Sequence, residues 1–314
     1  PGGGRPLTFI DLFCGIGGFH LAGSNLGLDC VFACDIDAEA RAVYQANFGL
    51  APAGDITSIR TEDIPDHDLL FAGFPCQPFS IIGRQQGFAD PRGTLFFEVS
   101  RILRVKRPRA VVLENVKQLT TAQGGEALER ILADLRGLGY TVDHRILNAL
   151  DFGLPQKRER TIIVATLTPF QDFPWPTGAV PMLPLAQILE PTPDRKHFVS
   201  ERIRSKRHAA HTADFAPAIW HENKAGHISS HAWSCALRAG ASHNYLLVDG
   251  ERRLTPRELL RLQGFPDTFQ MGENDSQTRK QAGNAVPVPL AQAAIEGVIH
   301  VLEQSEVARR GFSA

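Results

Sequence analysis

The chain has 314 residues, 43% of them hydrophobic and 21% charged, with a formal net charge of −1. That length allows one or two domains with a sizeable core, and the near-neutral balance excludes a uniformly basic coat while leaving room for a local basic patch. No unbroken run of about 18 apolar residues is present to cross a bilayer, and the opening PGGGRP lacks the basic and apolar regions of a secretory signal, so a cytoplasmic protein without membrane attachment is expected. Five cysteines, an odd number with no CxxC pair, fit neither a disulfide framework nor a structural zinc site.

From residue 7 to 166 short apolar runs alternate with helical patterns. TFIDLF, VFACD, LLFAGF, AVVLEN and TIIVAT read as strands; FHLAGSNLG, AEARAVYQANFG, TLFFEVSRILRVKR and GEALERILADLRGLG read as the helices between them, several closing on a C-cap glycine. The expected fold is α/β, a doubly wound and mostly parallel sheet. Beyond Phe170 seven prolines fall between residues 169 and 193 and periodicity fades, which marks a linker. A smaller irregular domain follows, rich in histidine and cations with strand-like YLLVDG. Its opening run carries six Lys/Arg against one Glu between 195 and 207, a pattern that suits a solvated helix face, with a place near DNA as the alternative. Helical patterning returns at TPRELLRLQGF and VPLAQAAIEGVIHVLEQ.

FIDLFCGIGGFHLAG is a strand, a Gly-rich turn and a helix start, a geometry that brings backbone N–H groups to a ligand. Asp35 ends the next strand, 20 residues past Gly15, where it can take ribose hydroxyls, and Asp55 of GDIT offers a carboxylate to an adenine amino group. His20 replaces the third glycine of a dinucleotide fingerprint, which weakens a nicotinamide reading.

In FPCQPFS the thiol of Cys76 stands between Pro75 and Pro78 after a buried strand, at the carboxyl edge where such sheets bind ligands. A fixed, strand-terminal thiol suits nucleophilic attack. Cys14, Cys30, Cys34 and Cys235 read as buried small hydrophobes. Glu114 ends another strand, where a low-dielectric cleft would raise its pKa and let it donate a proton. Arg158 and Arg160, two apart in QKRER, would face the same side of a strand. His208 and His211 lack a second ligand pair, so no metal is expected.

These residues resemble those of the DNA (cytosine-5) methyltransferase family. FCGIGG, Asp35, GFPCQPFS, ENV, QKRER, RRLTPRELLRLQGFPD and QAGNAVP occur in that family's order over nearly the whole chain. The resemblance implies methyl transfer from S-adenosylmethionine to C5 of a cytosine flipped out of double-stranded DNA, through a covalent bond from Cys76 to C6. Glu114 would hold N3 and the amino group, Arg160 the O2, and Arg158 a phosphate or the loop. Cofactor contacts map onto Phe13, Gly15, Ile16, Gly17, Asp35, Ile36, Asp55, Ile56, Phe74 and Leu95, with Asn284 and Val286 closing the site. Residues 77–95 match a closing loop with pivots at Gly83, Gly87 and Gly93, in which Gln77, Ser80, Arg84 and Arg92 would meet DNA. Lys224, His227, Ser229, Ser230 and Arg238 are candidate recognition residues.

The implied organisation is a catalytic domain of residues 1–187 and 281–314 around a target-recognition domain of 188–280, in a monomer. The enzyme would be either the counterpart of a restriction endonuclease acting on the same site without stable binding, or a solitary modification enzyme. The weighed alternatives are a tRNA cytosine-5 methyltransferase of the same fold, a catalytically silent DNA-binding module and a nicotinamide-dependent dehydrogenase.

Overall fold

The computed structural model describes residues 5–75 and 95–311, with side chains to residue 305. In chain order the first elements are β1 (Thr8–Leu12), α1 (Gly18–Asn25), β2 (Asp29–Cys34), α2 (Ala38–Phe48), β3 (Leu69–Ala72), α3 (Leu95–Lys106) and β4 (Ala110–Val116). Next come α4 (Glu126–Gly137), β5 (Thr141–Asn148), β6 (Gln156–Lys157), β7 (Glu159–Thr166), α5 (Leu185–Ile188) and α6 (Glu201–Ala210). The chain ends with β8 (Ile219–Glu222), β9 (Ile228–His231), β10 (Ser234–Cys235), β11 (Leu246–Val248), α7 (Pro256–Arg261), α8 (Asp275–Asn284) and α9 (Val288–Gly311).

Two compact units result. The first comprises residues 1–147, 159–177 and 290–314, the second 148–158 and 178–289. Residues 148–158, 178–187 and 281–289 thus cluster with the second unit, whereas the sequence bounds set them in the first.

The first unit holds a six-stranded sheet in the order β2-β1-β3-β4-β7-β5. β1 pairs parallel with β2 and β3, β3 parallel with β4, and β4 antiparallel with β7. Strand sequences such as LLFA and AVVLEN are apolar at nearly every position because both faces are covered. Ile10, Leu70, Val111 and Ile163 pack with Val99 and Leu103 of α3 and Ile131 and Leu135 of α4. On the other face Phe9 and Phe71 meet at 4.9 Å between ring centroids, and Phe19 of α1 stacks on Phe71 at 5.5 Å. Helices on both faces are what double winding means. The chain passes from β1 out to β2 and returns to β3 on β1's other side, so the order reverses between β1 and β3, where such sheets open a crevice.

α2 begins on Asp37, whose carboxylate accepts from the Glu39 and Ala40 N–H groups, and ends on Gly49 at φ 70°. Asp275–Ser305 has the length and apolar composition of a bilayer-crossing helix, but most of that window is buried, as in a core helix. Asn25 Nδ2 of α1 donates to Gln292 Oε1 of α9 at 3.1 Å.

In the second unit β11-β8-β9 form an antiparallel sheet, and β10 pairs with β6. TPRE opens α7 with a capping box between Thr255 and Glu258 and Pro256 in the first turn. Glu258 is fully buried. Its carboxylate accepts two hydrogen bonds from Arg252, both 2.9 Å, and one each from the Thr255 and Glu190 backbone N–H groups at 2.8 Å. RRLTPRE is therefore explained by folding. Replacing one member strands a buried charge, so Arg252→Met should lower the urea-unfolding free energy by roughly 3–5 kcal/mol. Arg60→Met, at the exposed Arg60–Asp63 pair, should leave the unfolding curve within the scatter of wild type; equal losses for the two would contradict this ranking.

Candidate active site

The turn after β1 is built on left-handed backbone, with Phe13 at φ 55°, Gly15 at 52° and Gly17 at 91°. A Cβ on Gly17 would lie 2.2 Å from Phe48 Cε2, whereas one on Gly15 would meet nothing within 4 Å. Gly17 is a packing requirement; Gly15 leaves open space. Asp35 ties the turn to β2, accepting from Gly15 N through Oδ2 and from Asp37 N through Oδ1, each at 2.8 Å. Each oxygen keeps acceptor capacity for a further donor. Ala53 bridges to Cys34, which brings Asp55 beside Asp35; Asp55 caps the short turn at Ile56 by accepting from Thr57 N at 2.9 Å.

Several features suit S-adenosylmethionine, which carries a carboxylate, an ammonium, a sulfonium and a ribose. α1 begins at Gly17 with no side-chain cap and no acidic residue in its first turn, leaving N–H groups for an anion. Asp11, 1% exposed, has no hydrogen-bond partner on either carboxylate oxygen among the described residues. Burial first and Asp35 second push its pKa well above the usual carboxylate range, with the His20 backbone acting in the opposite direction. A pKa raised in this way favours the protonated, neutral form of Asp11. Ile36, 75% exposed, follows Asp35 and offers an apolar surface. Ile16 and Ile56 are buried, so their side chains belong to packing. Phe74 is buried against Phe96, and Leu95 opens α3 and packs on the core.

His20 is neutral here. Burial lowers its pKa to about 4, its Nδ1 lies 2.6 Å from Tyr44 Oη, and its ring stacks 3.9 Å from Phe48. The position that would be the third glycine is thus filled by an aromatic cluster beneath the turn.

At the exits of β3 and β4 a second set of groups converges. Glu114 and Arg160 lie diagonally across the β4–β7 pair, since Val116 faces Arg160 in register, and Arg160 Nε donates to Glu114 Oε1 at 2.8 Å. Both side chains are largely buried. Asn115, for which the sequence suggests no role, donates from Nδ2 to the Phe74 carbonyl at 2.9 Å and accepts from Val116 N at 2.8 Å. That bond joins the end of β4 to the strand exit two residues before Cys76. Cys76 itself, with Gln77, Ser80, Gly83, Arg84, Gly87, Arg92 and Gly93, lies outside the described residues. The four other cysteines are free thiols, all with raised pKa values and burial as the largest cause: Cys14 and Cys235 upward, Cys30 and Cys34 to about 12. None is suited to form a thiolate at neutral pH.

Arg158 corrects a sequence expectation. The strand stops at Lys157 and a new one starts at Glu159, so Arg158 and Arg160 do not share a strand face. Arg158 is 1% exposed and its guanidinium donates to the carbonyls of Leu237, Gly283 and Ala285 at 2.8, 2.9 and 2.9 Å. It is a buried clamp within the second unit rather than a catalytic or phosphate-facing group. Gly283 of QAGNAVP belongs to the same clamp, because a Cβ there would meet the Ala239 backbone N at 2.5 Å. Asn284 is exposed and Val286 buried in that segment.

Of the recognition candidates, Lys224 and His227 lie at the β8–β9 turn, where Asn223 Oδ1 accepts from His227 N at 3.0 Å. Ser229 and Ser230 alternate on β9, and Ser229 pairs with His221 in register. His221 meets Tyr245 edge-on, and the guanidinium of Arg238 lies 4.7 Å over that ring. In the basic run, Lys196 pairs with Asp275, Arg204 with Glu201 and Arg207 with Glu222, so half its cations are spent internally.

The family described as "C-5 cytosine-specific DNA methylase" matches residues 7–300. The chain is 52% identical over 290 residues to Type II methyltransferase M.NgoBI of Neisseria gonorrhoeae, covering 90% of each protein. It is 49% identical over 298 residues to Type II methyltransferase M.HaeII of Haemophilus aegyptius, covering 94% of each. Among solved structures, S. pombe Dnmt2 methyltransferase shares the fold with a TM-score of 0.72 at 23% identity, covering 95% of this chain and 99% of that one. The Entamoeba histolytica methyltransferase EhMeth does so with a TM-score of 0.75 at 19% identity, covering 95% and 99%.

The contrast between the two turn glycines is testable. Gly15→Ala meets only backbone strain, about 1–2 kcal/mol, whereas Gly17→Ala adds overpacking of a further 1–3 kcal/mol or so against Phe48. Thermal unfolding should rank the variants in that order; equal midpoints would contradict the packing reading of Gly17.

Proposed function

We propose, for a chain that belongs to the C-5 cytosine-specific DNA methylase family and is a DNA cytosine-5 methyltransferase, that Cys76 is its nucleophile and that Glu114 and Arg160 hold the target base. The activity is sequence-specific methylation of the restriction-modification type, with S-adenosylmethionine as methyl donor. The observation that carries the assignment is the Asn115 bond to the Phe74 carbonyl, which ties the strand end bearing Glu114 to the entry of the Cys76 segment. The raised pKa values of the four other thiols leave Cys76 without a rival.

Cytosine C5 is a weak nucleophile. Addition of the Cys76 thiolate to C6 turns it into an enamine-like carbon, provided positive character is held at N3 and the exocyclic amine; Glu114 supplies that proton contact, and Arg160 both orients Glu114 and binds O2. S-adenosylmethionine supplies an electrophilic methyl group on a sulfonium. Transfer of the C5 proton to water and elimination of Cys76 as its thiolate then restore the aromatic ring. Gly15, Asp35, Asp55 and the uncapped start of α1 hold the cofactor, with Phe13, Ile36, Phe74 and Leu95 lining it, the backbones of Ile16 and Ile56 beside it, and Asn284 and Val286 as the further contacts that the family resemblance implies.

The target carbon is stacked inside duplex DNA, so the base must be flipped at an expense of a few kcal/mol that DNA contacts offset. Gln77, Ser80, Arg84 and Arg92 provide such contacts from the segment after Cys76. Lys224, His227, Ser229 and Ser230 read the duplex from the second unit, which acts as the target-recognition domain, and Arg238 contacts the DNA from the same unit. The enzyme works as a cytoplasmic monomer at the nucleoid, paired functionally with an endonuclease of the same site.

Incubation of the protein with unmethylated genomic DNA and S-adenosylmethionine, followed by bisulfite sequencing, should show protected cytosines confined to one short motif. Cys76→Ser should abolish protection while isothermal titration finds cofactor affinity largely intact. Retained methylation in that variant would remove Cys76 from its role.

A further inference from the structure

Within the second unit, a cleft of ≈ 210 Å³ is lined by Arg238, Arg253 and Arg279 together with His243, Tyr245 and the Lys196–Asp275 pair. The only carboxylate among its lining residues is Asp275, which Lys196 already neutralises at 2.8 Å. The three arginines form no ion pair among the described residues. Arg253 Nε instead donates to the amide oxygen of Asn244 at 2.9 Å, and an Arg279 N–H donates to His243 Nε2 at 2.6 Å, which requires the imidazole to be the neutral acceptor. Arg238 lies over the face of Tyr245. Each guanidinium is therefore oriented by a neutral group and keeps its full charge uncompensated.

The electrostatics agree with that arrangement. Arg279 has its pKa lowered by burial and by Arg253, and His243 is lowered by burial, Arg279 and Arg253 in turn. Like charges held this close are unfavourable unless an anion joins them. The scaffold around them is fixed. Leu237 N donates to Gln156 Oε1 at 3.0 Å and its carbonyl accepts from Arg158, which holds the backbone immediately before Arg238, while Gly283 lets the Arg238–Ala239 backbone close against α8. Three cations on separate segments, spaced around a small cleft by fixed neutral partners, form a preorganised oxyanion site.

We propose that this cleft takes one phosphodiester group of the DNA substrate, with Arg238, Arg253 and Arg279 as its donors, and so sets the register of the duplex on the second unit. The proposal rests on the reading of the chain as a DNA methyltransferase and adds a backbone anchor to it. Such a contact carries no sequence information; it positions the groove so that neighbouring side chains can read bases.

The test uses the full-length enzyme and a duplex carrying the motif found by bisulfite sequencing. Arg253→Gln and Arg279→Gln should each flatten the plot of log binding constant against log potassium chloride concentration by about 0.9, and raise KM for DNA about tenfold, with KM for S-adenosylmethionine unchanged. Arg253→Lys, which keeps the charge, should retain the wild-type slope and so separate charge loss from misfolding. Wild-type slopes in both Gln variants would overturn the proposal. So would inorganic phosphate raising the melting temperature of wild type but not of the variants while the slopes stay equal, since the cleft would then serve a free anion. A wild-type enzyme that methylates no duplex would instead overturn the reading on which the proposal rests.

Discussion

The chemistry of the first unit depends on parallel pairing of β1, β3 and β4. Phe9, Ile10, Asp11 and Leu12 pair in register with Leu69 to Ala72, and these in turn with Ala110 to Leu113, so the three strands leave the sheet at one edge. Each strand thereby delivers its next residues to the same crevice: the Gly-rich turn after Leu12, Gly73 to Pro75 after Ala72 and Glu114–Asn115 after Leu113. A slip of one residue in β4 would exchange its faces and carry Glu114 away from Arg160. Hydrophobic burial on both faces fixes the register, and the register sets Glu114 beside Arg160.

Polar side chains then complete what the sheet begins. Asn115 spans from β4 to the Phe74 carbonyl, Asp35 spans from β2 to the turn at Gly15, and Arg160 reaches from β7 to Glu114. Each crosses from one strand end to a neighbour. The second unit uses the same device, with Arg158 collecting three carbonyls and Arg252 gripping Glu258. Asp11 stands apart as a buried acid without a hydrogen-bond partner among the described residues, and burial favours its neutral form.

Much of this was legible in the sequence because buried parallel strands are written as apolar runs. All five strands read from those runs are present, whereas the bond from Gly15 N to Asp35 has no mark in the sequence. β5 escaped notice because Thr141–Asn148 lies at the sheet's edge with little of it buried, which leaves no apolar signature. The pairing of Arg158 with Arg160 failed because a break between two short strands has no sequence mark. Asn115 looked like a neighbour of Glu114, and only the strand-to-strand distance reveals its bond. The arginine cleft was illegible for a similar reason: Arg238, Arg253 and Arg279 come from three segments of an irregular unit, where no periodicity states which residues meet.

The proposed mechanism requires that Cys76, and no other thiol, attack the cytosine ring. A duplex with 5-fluorocytosine at the target position tests this most directly, because fluorine cannot leave C5 as a proton does and the covalent adduct persists. Incubation with S-adenosylmethionine, tryptic digestion and mass spectrometry should find the modified nucleotide on the peptide containing Cys76. An adduct on a peptide carrying Cys14, Cys30, Cys34 or Cys235, or no adduct from an enzyme that methylates the unfluorinated duplex, would contradict the assignment.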